Sequence, residues 1–478
     1  MCQLLGVRHC SERTKDVSVT LSVPGRTHVL LVASITGILL LSSLYRGGLS
    51  GYDDALFAHE AKEIILHGDW WSVHFNGALN FGIPPMFLWL DAVSMSWLGT
   101  SDFAAKLPSA LAGIGAVVAL YLLAVELTGD SWFGIFSMLV LATTQPFLKY
   151  STHAMTDVPF TFLFTLSLLF YLKGLRRPQY LLLAGLPIAL AILTRSVIGL
   201  LPLAIVALHL ILIQRWRLLW SPQAIGGFLI AISLPLVWTG SQYRLHGAEF
   251  LRGHLSFISN QVSSSGSWTP ALHTWPYVKE LLKYYWPWLP VFIAGLVLEI
   301  HARRTKWLAP LWLVVAILPL TQAETTYGRY LMPAFPAMAM LGAVALDRWI
   351  APPRRDLFFR GACTLLLGAA VYTILFTPPE RGAGIRTLAP LAEKYSQPGR
   401  RLLLYANGEP RFDYQNQLLW YTTRYVDLIT DLSELRQKST PGVVGVIDRV
   451  SFARLLGASN PIQVLAQSES LVCYRVAN

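Results

Sequence analysis

About 11 long apolar runs divide this chain, each close to the ~20 residues a helix needs to cross a bilayer. They fall near 28–45, 107–127, 132–148, 157–173, 179–194, 197–214, 223–243, 284–300, 307–322, 330–349 and 357–376. Such runs cannot be buried in a soluble domain of this size. Composition agrees: 54% of the 478 residues are apolar and 14% are charged, against about 25% charged in soluble domains. The mean hydropathy is +0.48. A soluble enzyme, a disordered chain and a nucleic-acid binder are all poor fits. The net charge of +11 sits in short clusters between apolar runs, which is how membrane proteins set their orientation.

The stretch from Leu181 to Ile213 carries one charge, Arg195, near its middle. At 1.5 Å per residue it is too long for one pass. The expected break is Thr194-Arg195-Ser196. Pro85 to Leu98 is too short to span and contains Asp91, so it reads as a re-entrant or interfacial helix. With the N-terminus inside and this helix not crossing, the clusters Lys173–Arg177, Arg215–Arg217, Arg303–Lys306 and Arg348–Arg355 all become cytoplasmic. If it crossed, all four would flip.

Before the first run the chain is basic (Arg8, Arg13, Lys15, Arg26), with no small-residue cleavage site after it, which predicts an uncleaved signal anchor. Cys2, Cys10, Cys363 and Cys473 match no metal-binding spacing. From about 377 the composition changes. Arg401–Ala406 and Val443–Val450 predict strands, Leu418–Leu435 and Phe452–Leu456 partial helices, and Val464–Val476 one further strand. The expected fold is therefore an all-α polytopic membrane protein of about 11 transmembrane helices, with a small C-terminal α/β extracytoplasmic domain. Residues 1–376 form the membrane domain, including an outer loop at 46–84. Residues 377–478 form the soluble one.

This topology gathers polar groups on the outer side. Asp53 and Asp54 follow the first span. Adjacent carboxylates there suit a helix start, or a general base or metal ligand. Neighbouring side chains on a helix do not share a face, so one acid is expected to point into a cavity while the other supports the helix. Arg195 lies near a membrane boundary, where it could snorkel or set the topology. Asp157 precedes Pro159 and could cap a helix. The aromatics from Trp275 to Trp288 read as an interfacial belt. Ser263–Ser267 reads as a flexible loop.

The order of these features carries a family resemblance. Two acids are followed by Gly68-Asp69-Trp70-Trp71, Asn76-Gly77, Pro84-Pro85 and Phe103–Ala110. Met155-Thr156-Asp157-Val158-Pro159, Leu193–Ser196 and Gly328-Arg329-Tyr330-Leu331-Met332-Pro333 come next. The chain resembles the GT-C class of membrane glycosyltransferases, in particular the lipid A aminoarabinose transferase and protein O-mannosyltransferase group. The resemblance implies transfer of a sugar from a polyprenyl-phosphate donor to a lipid or glycan acceptor. The site would face the periplasm of a bacterial inner membrane, with membrane lipids around it and no nucleic acid involved.

A leaving lipid phosphate needs cations where charge develops, and an acceptor hydroxyl needs a carboxylate to take its proton. Asp53, Asp54 and Asp157 are thus the expected catalytic acids. Arg195 and Arg329, with Tyr327 and Tyr330, are expected to bind the phosphate and substrate. Relatives of the aminoarabinose group carry Glu-Lys before the proline pair, and the mannosyltransferases histidine. Here Gly82 and Ile83 stand instead. A divalent metal therefore stays open, with Asp53 and Asp157 as its ligands and His59, His67, His74 or Glu324 as substitutes. The rival readings are a lipid-linked substrate transporter or flippase, which would need charges within spans or an internal repeat, and a membrane scaffold without catalysis.

Overall fold

The computed structural model describes residues 25–49, 52–262, 275–322, 327–376, 383–407, 411–455 and 462–477. The basic N-terminal stretch before residue 25, Gly51, the Ser263–Ser267 loop and Glu324 lie outside these residues.

The chain is dominated by helices. α1 (Arg26–Leu44) forms from the first apolar run. α2 (Tyr52–His67) and α3 (Met86–Leu98) flank a small hairpin, β1 (His74–Phe75) and β2 (Ala78–Leu79). Asn76 (φ 55) and Gly77 (φ 81) turn this hairpin, the left-handed pair that a two-residue connection requires. Next come α4 (Asp102–Thr128), α5 (Ser131–Ala142), α6 (Gln145–Tyr150), α7 (Asp157–Gly174), α8 (Gln179–Arg195) and α9 (Leu201–Leu212). Ser101 caps α4 and Asp130 caps α5 through side-chain oxygens on free backbone N–H groups. The bundle continues with α10 (Pro222–Val262), α11 (Trp275–Tyr284), α12 (Trp288–Ala302), α13 (Leu308–Ile317), α14 (Phe335–Trp349) and α15 (Arg355–Leu375).

Among the described residues, six segments are long and apolar enough to cross a membrane: Arg26–Leu44, Asp102–Thr128, Gln179–Leu212, Pro222–Ser259, Gly328–Trp349 and Pro352–Leu375. The pair α11 and α12, bent by 116°, makes a seventh if taken as one span. The protein is thus a multi-pass integral membrane protein. The segment Gln179–Leu212 is no straight rod. Ser196 has φ 52, and a Cβ on Gly199 would meet the Ile192 Cα at 2.4 Å. The chain therefore doubles back just after Arg195, where the isolated charge marks the break. α3 is a short apolar helix packed between α2 and α4.

One dense core joins α4, α5, α7, α13 and α14. α8 and α10 approach backbone to backbone, since a Cβ on Gly185 would stand 2.1 Å from the Gly227 oxygen. Small residues at such crossings let helices gain dispersion contacts where no water is left to expel. The four basic clusters meet at one end. Arg304 pairs with Asp130 at 2.7 Å and Arg355 with Asp347 at 2.7 Å. Arg215 donates to the Leu175 oxygen, and His209 Nε2 lies 3.0 Å from the Lys306 oxygen.

The C-terminal residues build α16 (Ala383–Tyr395), β3 (Leu402–Tyr405), α17 (Phe412–Tyr421), β4 (Val426–Ile429), α18 (Leu432–Lys438), β5 (Val444–Asp448), α19 (Arg449–Leu455), β6 (Ile462–Gln467) and β7 (Leu471–Val476). Their sheet runs β4-β3-β5-β7-β6, parallel across the first three strands and antiparallel across the last three. Leu418–Leu435 is helical in part: α17 ends at Tyr421, Val426–Ile429 pairs with β3, and Asp431 then caps α18. One expectation needs correction. Val464–Val476 is not one strand but lies within the β6–β7 hairpin, turned at Ser468, whose hydroxyl accepts the Leu471 N–H. Strand pairing is non-local, so two six-residue strands joined by a short turn read along the chain as one.

Candidate active site

Four chain segments distant in sequence bring their ends to one place. Asp53 lies in the first turn of α2 and Asp157 begins α7. Carboxylates are favoured at such N-termini by the helix dipole. Arg195 ends α8, where a cation is favoured for the same reason. Arg329 lies on the 3-10 segment Gly328–Ala334 that leads into α14.

The charges pair crosswise. Arg329 forms an ion pair with Asp53. Arg195 Nη2 stands 2.8 Å from Asp157 Oδ1, and its Nε donates to the Thr156 hydroxyl at 3.1 Å. All four side chains are largely buried, Asp157 almost completely. Such pairs hold because each burial cost is offset by a partner. The two pairs also sense each other. Burial raises the Asp53 carboxyl above its ordinary range. Arg329 opposes that shift, Asp157 adds to it, and Arg195 opposes it weakly. Tyr330 joins the pairs: its ring centre lies 5.7 Å from the Arg195 guanidinium and 5.5 Å from that of Arg329. Tyr327 covers Arg329 at 4.3 Å. Guanidinium over an aromatic face is held by the ring quadrupole and leaves its edge N–H groups free to donate.

Asp53, Asp157, Arg195, Arg329, Tyr327 and Tyr330 thus converge. Asp54 plays a different part: it is wholly buried, and its Oδ1 takes the Ala55 N–H at 2.8 Å. The histidines of the first loop are engaged elsewhere. His59 pairs with Glu63 at 3.0 Å, His67 bonds the Tyr425 hydroxyl at 3.1 Å, and His74 lies 4.0 Å from Asp69. Among the described residues no three His, Cys, Asp or Glu side chains come together as a metal site. Asp53 and Asp157 are the oxygens a divalent ion could use, and each already holds a guanidinium. At Gly82, where the family resemblance leads one to expect a carboxylate, a Cβ would stand 2.8 Å from the Phe257 ring. That ring occupies the space.

Residues that sequence reasoning did not single out also touch the site. Thr156 is one, and its place in the Met155–Pro159 motif was the available signal. Tyr150 lies beside the site, at the end of α6, which packs against the Gly328–Ala334 segment that carries Arg329. No local pattern marked it.

Residues 83–239 match the family described as dolichyl-phosphate-mannose-protein mannosyltransferase. The chain is 28% identical over 358 residues to undecaprenyl phosphate-alpha-4-amino-4-deoxy-L-arabinose arabinosyl transferase 1 of Pseudomonas fluorescens, covering 71% of this chain and 63% of that one. A protein of Aquifex aeolicus is 29% identical over 302 residues, 62% of this chain and 59% of its own length. The chain thus spans about three fifths of the curated relatives it matches. Among solved structures, ArnT from Cupriavidus metallidurans bound to undecaprenyl phosphate superposes with a TM-score of 0.77 at 16% identity, over 94% of this chain and 98% of that one. The archaeal oligosaccharyltransferase AglB from Archaeoglobus fulgidus gives 0.53 at 13% identity, over 88% and 69%. This chain has the ArnT fold. It resembles the GT-C membrane glycosyltransferases over nearly its whole length, and the charged cluster is built from the ends of helices in that fold.

Proposed function

We propose that this chain is an integral membrane glycosyltransferase that moves a sugar from a polyprenyl-phosphate carrier to a hydroxyl of an envelope lipid or glycan, inverting the anomeric carbon. The observation that supports this reading most is the buried set Asp53–Arg329 and Asp157–Arg195, joined through Tyr330. The acceptor oxygen attacks the anomeric carbon as the bond to the phosphate oxygen breaks. Asp53 takes the acceptor proton. The electron pair leaves with the prenyl phosphate, whose new charge is met by Arg195 and Arg329. Asp157 and Thr156 hold Arg195 in place. Where a divalent ion binds, Asp53 and Asp157 would hold it, and it would add charge stabilisation at the phosphate.

The chain is read as crossing a bacterial inner membrane about 11 times, one pass per apolar run. Residues 1–376 form the membrane domain, with the loop 46–84 in the periplasm, and 377–478 form a periplasmic α/β domain. The meeting of all four basic clusters at one end supports this orientation. Asp157 and Gly174 are opposite ends of α7, so the site lies about 26 Å of helix away from those clusters.

The test is transfer by purified protein in lipid, with undecaprenyl-phosphate sugars as donors. The donor named in the Pseudomonas relatives comes first, with lipid A as acceptor, followed by neutral pentose and hexose donors. Stereospecific transfer abolished by Asp53→Asn is the expected result. Movement of an intact lipid-linked sugar across the bilayer without transfer would favour a flippase and sink this reading.

A further inference from the structure

Lys62 is almost fully buried, yet among the described residues no carboxylate forms an ion pair with it; Glu393 and Glu63 act on it only from a distance. Its Nζ instead donates to three backbone carbonyls: Leu419 at 2.6 Å, Trp420 at 2.9 Å and Thr422 at 2.8 Å. These carbonyls end α17, where backbone acceptors have no partner within their own helix. A cation there also meets the negative end of the helix dipole. The ammonium therefore spends all three of its donors on one helix end, 5.5 Å from the Trp420 ring. Lys62 belongs to α2, the helix that carries Asp53 in its first turn.

Other contacts fasten the same two regions. Trp420 packs inside the core formed by α2, α3 and the start of α4, and Phe75 of the outer hairpin packs on the core of the C-terminal sheet. Asn76 both donates to the Val426 oxygen at 2.8 Å and accepts the Val426 N–H at 3.0 Å, using the open edge of β4. Asp102 at the start of α4 accepts from Trp420 Nε1 at 2.7 Å and from the Tyr421 hydroxyl at 3.1 Å. The first loop and the C-terminal sheet thus share their buried surfaces.

We propose that Lys62 is a positioning residue, which locks α2 to the C-terminal sheet and so fixes where Asp53 meets Arg329. The C-terminal residues are then part of the frame of the active site. This inference rests on Asp53 being the base. A rigid frame has value there because a displacement of about 1 Å at reacting groups can cost on the order of a hundredfold in rate.

The experiment compares Lys62→Met, Lys62→Arg and Asp102→Asn in the full chain in lipid. Lys62→Met leaves the three carbonyls without a donor. It is expected to lower kcat about tenfold or more, with the donor KM within about twofold, and to move the acid limb of the pH–rate profile. Amide hydrogen exchange across residues 52–60 should quicken. Lys62→Arg, which keeps the cation and its N–H groups, should recover much of the loss. Asp102→Asn loosens the same segment from α4, and should lower Tm while leaving the acid limb in place. If Lys62→Met lowers Tm but kcat and the acid limb of the folded enzyme stay unchanged, the proposal is overturned. Should that variant not fold, Lys62→Gln replaces it, and an unmoved limb there is equally fatal. If the wild type transfers no sugar from any donor, the glycosyltransferase reading fails instead. The exchange at 52–60 then still decides whether Lys62 holds α2: unchanged exchange in Lys62→Met overturns the clamp.

Discussion

Arg195 reaches Asp157 at 2.8 Å while its Nε donates to Thr156, the residue just before that aspartate. The guanidinium is therefore held at two points on the start of α7, with its remaining N–H edge available to a phosphate. Removing it leaves an almost wholly buried carboxylate without its partner. Breaking a buried pair from one side costs about 3–5 kcal/mol. Arg195→Ala should lower Tm and raise the donor KM more than the acceptor KM, whereas Arg195→Ala with Asp157→Ala should regain stability but not donor use. Equal effects on both substrates would mark Arg195 as structural.

Asp53→Asn keeps the shape of the side chain and removes its ability to take a proton. General bases contribute about 10²–10⁴ in rate. Turnover should fall by that order; Tm should fall as well, because Arg329 loses its charged partner, while carrier binding by the folded protein, followed by thermal shift with undecaprenyl phosphate, is retained. Retained turnover removes Asp53 from the mechanism.

Burial, the largest influence on Asp53, raises its carboxyl above the ordinary value, against the pull of Arg329. A base works only when ionised, so activity should be lost as pH falls through a value above the usual carboxylate pKa of about 3.9. Stability moves the other way. Glu60, buried and bonded to the Asn80 amide, is pushed up to about 8 by the same cause. Its folded pKa exceeds its unfolded one, so the folded state binds more protons and stability declines as pH rises from about 4.5 to about 8. The Tm advantage of Glu60→Gln over wild type should grow across that window. A constant difference would contradict the assignment.

Tyr330 serves both arginines through its ring. Each such contact is worth about 0.5–2 kcal/mol. Tyr330→Phe should keep the donor KM within about twofold, and Tyr330→Leu should raise it about tenfold. If Phe is as damaging as Leu, the hydroxyl matters rather than the ring.

Gly185 has no room for a side chain, because a Cβ would press into the Gly227 backbone. Backbone cannot give way as a flexible side chain can. Gly185→Val should separate α8 from α10 and lower Tm by several degrees, whereas Gly361→Ala, in open space on α15, should be neutral. A stable Gly185→Val would show that the two helices do not cross so closely.

What the chain determined by itself was local. Twenty-residue apolar runs need a bilayer, because backbone polar groups can be satisfied there only within helices. A single arginine in a run too long for one pass marked the fold-back at Ser196. Acids and cations at helix ends followed from the dipole, and an ordered set of short motifs pointed to Asp53, Asp157, Arg195 and Arg329 as one group. The sequence carried no signal for who pairs with whom. Asp53 takes Arg329 and Asp157 takes Arg195 only because four helix ends meet, and Asp54, one residue from Asp53, turns into the protein instead. Nor could it show that β4 would pair with β3, that β6 and β7 are two strands rather than one, or that Lys62 would cap α17 across hundreds of residues. Those choices depend on non-local contacts. A strand edge or a helix end has no preferred partner until folding brings one within hydrogen-bonding distance and removes the water that would otherwise satisfy it.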